Sequence, residues 1–481
     1  MKVFVNAFWL TSCRIAADLL SFVLFAAIAR DFGPSGTGEY SYGFAVGTLV
    51  ALVSTCGFED FGIRAYASAT TQTRPQLWAD MLATQCVQLG IGVLVFIAFL
   101  LVGALHARNL IVLTELGVYV VCWWMSRTFF IPAMASQSMK APAITDLACR
   151  FAAILSALLL GVLTHASLPL MLAGFPLAGV ALLLLALASA RRHGARLQAG
   201  RSWRRTLDTL RRTLPFAGSD LLNQFYARAD VLLIAYFLGN ASVGLYATDI
   251  KFIEVGLLPL ILLGTASYPL MSAYAVRSDK AFAEAARDFM RILLLLTGWL
   301  AVGIFCLVPL LIVPLFGAHF SPAIALLPWI ALFAILKGVE ATLYRLLYSA
   351  HRQTLYCISL LIGTVLIVSL NVLLIPTRGL QGAVLAAIIS TIVVDAISLA
   401  GLVPRLGARF IALALLRLSL ATLLIAALVC VLRLSDFSVW TIALAACAAF
   451  PLAAALFGLL PNLRTSALLR PFVPSDSAAP S

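Results

Sequence analysis

The chain has 481 residues, 62% hydrophobic and only 11% charged, with a mean hydropathy of +1.03. Soluble domains carry roughly 25% charged residues, so this composition excludes a soluble fold and predicts an all-α polytopic membrane protein. The formal net charge of +13 is accounted for below by topology, so no nucleic-acid partner is needed.

A helix needs about 20 apolar residues to cross a hydrocarbon core of about 30 Å. Runs of that length predict six spans in the first half, near Phe8–Ala29, Tyr40–Phe58, Asp80–Ala104, Leu110–Ile131, Ala143–Thr164 and Leu168–Ala190. Six more follow near Leu214–Leu238, Thr248–Leu270, Ile292–Phe316, Ala323–Tyr348, Leu355–Ile375 and Leu380–Leu402, then Phe410–Leu432 and Val439–Leu460. The total is about fourteen helices. Only Lys2 precedes the first span, and no small-residue cleavage site follows it, so it reads as a retained helix rather than a signal peptide.

Short loops rich in Lys and Arg stay in the cytoplasm. The connection after the sixth span carries Arg191, Arg192, Arg196, Arg201, Arg204, Arg205, Arg211 and Arg212 against a single Asp208. Every second loop agrees: Arg64 and Arg74, Lys140, Arg277 with Lys280 and Arg287, Arg352, Arg405 and Arg409, and finally Arg464 and Arg470. Both termini are therefore expected in the cytoplasm. The alternate loops hold only Arg30, Arg108, Arg378 and Arg433, scattered singly. Ser202–Leu214 places Trp203, Leu207, Leu210 and Leu214 on one helical face and Arg204, Arg205, Arg211 and Arg212 on the other. It reads either as a helix lying on the anionic leaflet or as a basic linker. Pro474–Ser481 reads as a disordered tail.

The chain repeats itself. Ile28-Ala29-Arg30-Asp31-Phe32-Gly33-Pro34-Ser35-Gly36-Thr37-Gly38-Glu39-Tyr40-Ser41 returns 206 residues later as Ile234-Ala235-Tyr236-Phe237-Leu238-Gly239-Asn240-Ala241-Ser242-Val243-Gly244-Leu245-Tyr246-Ala247. A duplicated membrane bundle that meets itself across a central cavity is the architecture of many transporters.

The nine cysteines all fall inside predicted spans without a Cys-x-x-Cys pair and read as small packing residues. The five histidines are dispersed, so no metal site is indicated. Buried charge is more informative, because an ionisable side chain in mid-span costs on the order of 2.5–3.5 kcal/mol on insertion scales. Arg14 and Asp18 stand four apart in the first span, as do Asp146 and Arg150 in the fifth. The seventh holds Asp220, Arg228 and Asp230; the eighth Asp249, Lys251 and Glu254; the tenth Lys337, Glu340 and Arg345; Asp395 stands alone in the twelfth. Such pairs either neutralise one another within a helix or line a cavity. Asp146, Lys251, Arg127 and Arg417 sit near span ends, where they can reach the interface. Pro259, Pro309, Pro314 and Pro328 interrupt spans eight, nine and ten.

The block Arg30 to Ser41, followed by Thr55-Cys56-Gly57-Phe58-Glu59-Asp60-Phe61-Gly62-Ile63-Arg64, resembles the start of bacterial O-antigen and exopolysaccharide flippases. A second block agrees: Leu214-Pro215-Phe216, Tyr226-Ala227-Arg228-Ala229-Asp230, Leu238-Gly239, Val243-Gly244-Leu245-Tyr246-Ala247 and Lys251-Phe252-Ile253-Glu254. The chain is thus similar to the polysaccharide transporter branch of the multidrug, oligosaccharidyl-lipid and polysaccharide exporter superfamily.

The resemblance implies two six-helix lobes in a V, residues 1–190 and 214–402, joined by a basic linker over 191–213. Two extra helices over 403–460 and a cytoplasmic tail over 461–481 would follow. It implies a flippase for an undecaprenyl-diphosphate-linked oligosaccharide in the bacterial inner membrane, driven by a proton or sodium gradient without another cofactor. Membrane lipids, the polysaccharide polymerase and the chain-length machinery are its implied partners. Arg228, Asp230 and Glu254 match the resembling block, and Arg14, Asp18 and Arg150 are assigned by their depth. Guanidinium forks suit a diphosphate, so Arg14, Arg150, Arg228 and Lys337 are the expected cargo contacts. Asp18, Asp230, Glu254 and Glu340 are expected to hold the empty cavity and take up the coupling ion. The rival readings are a drug or cation antiporter, a peptidoglycan-precursor flippase, and a membrane-embedded polymerase. The last is disfavoured by the short predicted outer loops, so no enzymatic activity is expected.

Overall fold

The computed structural model describes residues 2–55, 57–70, 72–105, 108–164, 167–195, 203–432, 434 and 437–460. Cys56, Arg196, Arg201, Arg433 and the predicted tail with Arg464 and Arg470 lie outside the described residues. Sixteen α-helices follow one another: α1 (Lys2–Thr55), α2 (Phe58–Ser68), α3 (Arg74–Leu105), α4 (Leu110–Ala135), α5 (Lys140–Thr164), α6 (Leu168–Leu172), α7 (Gly174–Arg192) and α8 (Trp203–Leu238). Then come α9 (Asn240–Gly256), α10 (Leu258–Arg277), α11 (Asp279–Cys306), α12 (Val308–Phe316), a 3-10 helix (Ala318–Leu326), α13 (Leu327–Ser349), α14 (Gln353–Leu406), α15 (Ala408–Leu432) and α16 (Val439–Leu456).

The helices are those expected, but their boundaries are set by Gly and Pro. α1 holds the first two predicted spans, joined at Gly33 with φ 63°. α14 holds the eleventh and twelfth, joined at Gly379 with φ 59°. Positive φ is nearly free for glycine and costly for other residues, and Pro34 then supplies a first-turn residue whose φ is already helical. Gly239 between α8 and α9 also has φ 80°. Gly33 and Gly239 occupy equivalent positions of the 206-residue repeat, so both copies turn on the same device.

Prolines divide the other long spans. The eighth separates into α9 and α10 ahead of Pro259, the ninth into α11 and α12 ahead of Pro309, and the tenth begins as the 3-10 helix before α13 ahead of Pro328. Each proline sits in a first turn, where the missing N–H breaks no helical bond. Among the described residues eleven elements are long and apolar enough to cross a membrane. The difference from about fourteen arises because α1 and α14 each hold two predicted spans and because α8, which carries Asp208, Asp220, Arg228 and Asp230, is not among the eleven.

Chain packing divides into two compact units. The first comprises 1–255, 311–326 and 360–387. Within it α1 packs on α3, α4, α5 and α8, and α4 also packs on α7 and α2. Gly47 of α1 lets the helices close: a Cβ there would stand 3.2 Å from the Gly117 Cα of α4. The start of α8 belongs to this unit. Thr206, Thr209 and Thr213 are its buried face, Thr84 of α3 donates to the Thr206 carbonyl, and Trp203 and Leu207 point outward.

The second unit comprises 256–310, 327–359 and 388–481. α11 is its pivot, packing on α10, α13, α15 and α16. Its buried positions Phe282, Ala286, Phe289, Leu293, Thr297 and Ala301 recur at three- and four-residue spacing, the stripe of a helix with one packed face.

Candidate functional site

The site is built on one face of α1. Arg14, Asp18, Ser21 and Phe25 follow one another at three- and four-residue spacing, so they line one side of that helix. Arg14 Nε stands 4.0 Å from Asp18 Oδ2, with the Arg14 side chain 73% exposed. Asp18 is also within Coulombic range of Arg150, Lys251 and Glu254. Charges from α1, α5 and α9 thus gather within the first unit.

Arg150 of α5 is held by two partners. Its guanidinium lies 4.0 Å over the Trp123 ring of α4, and its Nε is 3.2 Å from Asp146 Oδ2 one turn back. Trp123 in turn donates its indole N–H to Asp146 Oδ1 at 2.8 Å. The triad Trp123, Asp146 and Arg150 therefore fixes the guanidinium plane by stacking and charge together. The Arg150 Nε–H is ion-paired in this way but makes no hydrogen bond among the described residues.

Arg228 of α8 mirrors this arrangement. It lies 3.8 Å from Glu254 Oε1 and 6.0 Å from the centre of the Phe44 ring, and its buried Nε–H likewise makes no hydrogen bond among the described residues. Glu254 is shared with Lys251, whose Nζ donates to Oε2 at 2.7 Å. Tyr40, 8% exposed, lies within Coulombic range of Arg150, Arg228 and Glu254. A small cavity of about 20 Å³, room for roughly one water, is bounded by Ser21, Tyr40, Phe44, Tyr119, Trp123 and Arg150. Four cations, Arg14, Arg150, Arg228 and Lys251, face three carboxylates, Asp18, Asp146 and Glu254. The assembly keeps an excess positive charge.

Asp230, only two residues from Arg228, is not brought into this group. Its carboxylate accepts from the Val231 backbone N–H at 2.7 Å and from the Tyr246 hydroxyl of α9. Both residues are buried, so this carboxylate ties α8 to α9. Lys337 and Glu340 belong to the second unit, where Lys337 Nζ donates to Glu340 Oε2 at 2.6 Å and the Tyr356 hydroxyl donates to Oε1 at 3.4 Å. Asp395 of α14 lies within Coulombic range of both.

Residue spacing along single helices could not find this arrangement in full. It identified Arg14, Asp18, Arg150, Arg228 and Glu254, but left Asp146 and Lys251 as span-end residues. Lys251 is recoverable from its three-residue spacing to Glu254. Trp123, Tyr40 and Tyr119 carry no such signal, because an aromatic in an apolar helix is ordinary until a cation is found over it.

Residues 3–275 match the profile of the family described as polysaccharide biosynthesis protein. No curated protein matches the sequence. Among solved structures, the lipid II flippase MurJ in an inward closed conformation is similar, with a TM-score of 0.67 and 13% identity over 93% of this chain and 97% of that one. A eukaryotic MATE transporter follows with a TM-score of 0.55 and 14% identity over 83% and 95%. A MOP superfamily transporter from Pyrococcus furiosus, described as having a binding pocket of reversed polarity, gives 0.54 and 14% over 84% and 96%. At such identities the likeness concerns the fold.

Proposed function

The chain belongs to the polysaccharide biosynthesis protein family, and from that premise we propose that it is a flippase. Its cargo is an undecaprenyl-diphosphate-linked oligosaccharide, moved from the inner to the outer leaflet of the bacterial cytoplasmic membrane for surface polysaccharide synthesis. The observation that carries this reading is the pair of arginines, Arg150 and Arg228, each braced by an aromatic ring and a carboxylate and each with a buried Nε–H that makes no hydrogen bond among the described residues. A diphosphate crossing a low-dielectric slab needs such donors, since the guanidinium fork matches phosphate oxygens. Excess cation in the cluster favours an anionic headgroup over a cationic drug.

Coupling follows from charge balance. When diphosphate takes Arg228 and Arg150, Glu254 and Asp18 lose part of their partners and bind a proton or sodium ion in their place. Release of the cargo returns the carboxylates to the arginines and expels the ion. Glu340, paired with Lys337 in the second unit, braces its helices, and Asp230 holds α8 to α9 while this happens. Residues 1–190 and 214–402 form the two lobes of the cycle around the linker over 191–213, with helices over 403–460 and a tail over 461–481 added. The basic ends, with Arg64, Arg74, Lys140, Arg191 and Arg192, face the cytoplasm, as do both termini. Membrane lipids surround the carrier, and the polymerase and chain-length machinery receive its product.

Deleting the gene tests the reading, with the leaflet of the lipid-linked intermediate as the readout. Accumulation on the cytoplasmic leaflet with loss of surface polymer is expected. Unpolymerised units exposed on the outer leaflet would identify a polymerase, and an unchanged glycan pool would point to a cation antiporter on the same fold.

A further inference from the structure

The two copies of the repeated motif touch each other. A Cβ on Gly38 would overlap the carbonyl oxygen of Asn240, lying 2.6 Å from its carbonyl carbon and 3.1 Å from its Cα. A Cβ on Gly244 would overlap the carbonyl oxygen of Pro34, at 2.7 Å from its carbonyl carbon and 3.0 Å from its Cα. Adding the 206-residue offset of the repeat to 34 and 38 gives 240 and 244. The contact is therefore reciprocal: glycine of each copy rests on the carbonyl at the start of the helix of the other. All four residues lie within the first unit.

Two arginines tie the neighbouring backbone. Arg108, just before α4, donates to the Asn240 side-chain oxygen and to the Ala235 carbonyl in the last turn of α8, and lies 4.6 Å over the Tyr42 ring. Arg30 donates to the Leu315 carbonyl at 2.9 Å and to the Pro314 carbonyl in the last turn of α12. Both use cationic donors to satisfy C-terminal carbonyls. These are two of the single arginines in the otherwise base-poor loops, so on the topology above the contact lies at the outer face.

We propose that the Gly38–Asn240 and Gly244–Pro34 contacts form a self-complementary outer gate, closed in this conformation and latched by Arg108. Backbone resting on backbone interlocks no side chains, so the gate can part and re-form without repacking a core, while any side chain at either glycine holds it ajar. The positive φ of Gly33 and Gly239, five residues before each contact glycine, places a hinge beside each half. The proposal rests on the reading of the chain as an alternating-access carrier.

Spin labels on Ser35→Cys and Ala241→Cys, exposed repeat equivalents adjacent to the two carbonyls, report the gate in lipid nanodiscs, with the native cysteines replaced. The otherwise unaltered chain is expected to give mainly a short distance. Gly38→Ala and Gly244→Ala should each raise the open-to-closed ratio by about tenfold or more, and by similar amounts because the contact is reciprocal. Arg108→Gln, which leaves the glycines intact, should shift the same way by a smaller factor and covers the case in which the alanine variants do not fold. An unchanged distance in Arg108→Gln and in every glycine variant that folds would overturn the gate. These distances need no cargo. A deletion strain with an unchanged glycan pool would therefore sink the flippase reading and leave the gate to stand or fall on its own measurement.

Discussion

The two polar clusters of this protein use the same residue types to opposite ends. In the first unit, four cations outnumber three carboxylates and Arg150 and Arg228 lie over aromatic rings. In the second, one cation, Lys337, faces Glu340 and Asp395; the Lys337–Glu340 pair is closed and receives the Tyr356 hydroxyl, while the Asp395 oxygens find no hydrogen-bond donor among the described residues. A buried ion pair that is closed and hydrogen-bonded mainly holds its helices in place, whereas an incompletely satisfied cationic group is poised for an anion that arrives from outside. On the proposed function, the cationic excess of the first group is the part offered to cargo, and the Lys337–Glu340 pair is the part that holds helices together.

The sharpest test of that contrast is to break the closed pair. Glu340→Leu takes from Lys337 its 2.6 Å carboxylate partner, and loss of one partner of a largely buried pair costs about 3–5 kcal/mol. A large fall in melting temperature in detergent is expected, with Lys337→Met/Glu340→Leu recovering most of it. If the double variant were as unstable as the single one, the pair would not be the structural element described.

Next in size are Arg150→Ala and Arg228→Ala, each expected to lower glycan export by about tenfold or more, equivalent to roughly 1.4 kcal/mol or above, at unchanged protein abundance. Lysine at either position restores charge but not the planar fork and should recover export only in part. Wild-type export in Arg14→Ala and Arg228→Ala at normal abundance would remove the cluster from the cargo path. Tyr246→Phe should behave in the opposite sense, costing about 1–2 kcal/mol of stability by taking a donor from the buried Asp230 while export per folded molecule is kept. The smallest effect is expected for Trp123→Phe, which keeps a ring beneath Arg150 but deletes the indole N–H to Asp146. A two- to fivefold loss of export is anticipated, about 0.5–1 kcal/mol, read in the same glycan assay, and an unaltered rate would make the stacking incidental.

Several features of the fold were legible from residue order because they depend on local physics. Apolar runs announce helices, and Pro259, Pro309 and Pro328 mark interruptions of the long spans. The approximate repeat and the glycan-family motifs were equally plain. What spacing did not single out at the start of α8 is its protein-facing side, formed by Thr206, Thr209 and Thr213 while Trp203 and Leu207 stay exposed. Small hydroxyl residues can satisfy their own helix backbone, as Thr213 does toward the Leu210 carbonyl, and so pack where hydropathy predicts nothing.

By itself, the sequence determined that this is a membrane-embedded helical protein of duplicated design, and it picked out the charged positions too costly to be accidental, because hydropathy and the three- to four-residue period act within a single helix. Which of those charges meet was decided by tertiary packing alone. Arg228 and Asp230 are neighbours in the chain, yet one reaches Glu254 in the open cluster and the other is locked to Tyr246. Two residues along a helix amount to a turn of about 200°, so the pair faces different neighbours, and only the packing of α8 against α1 and α9 chooses them.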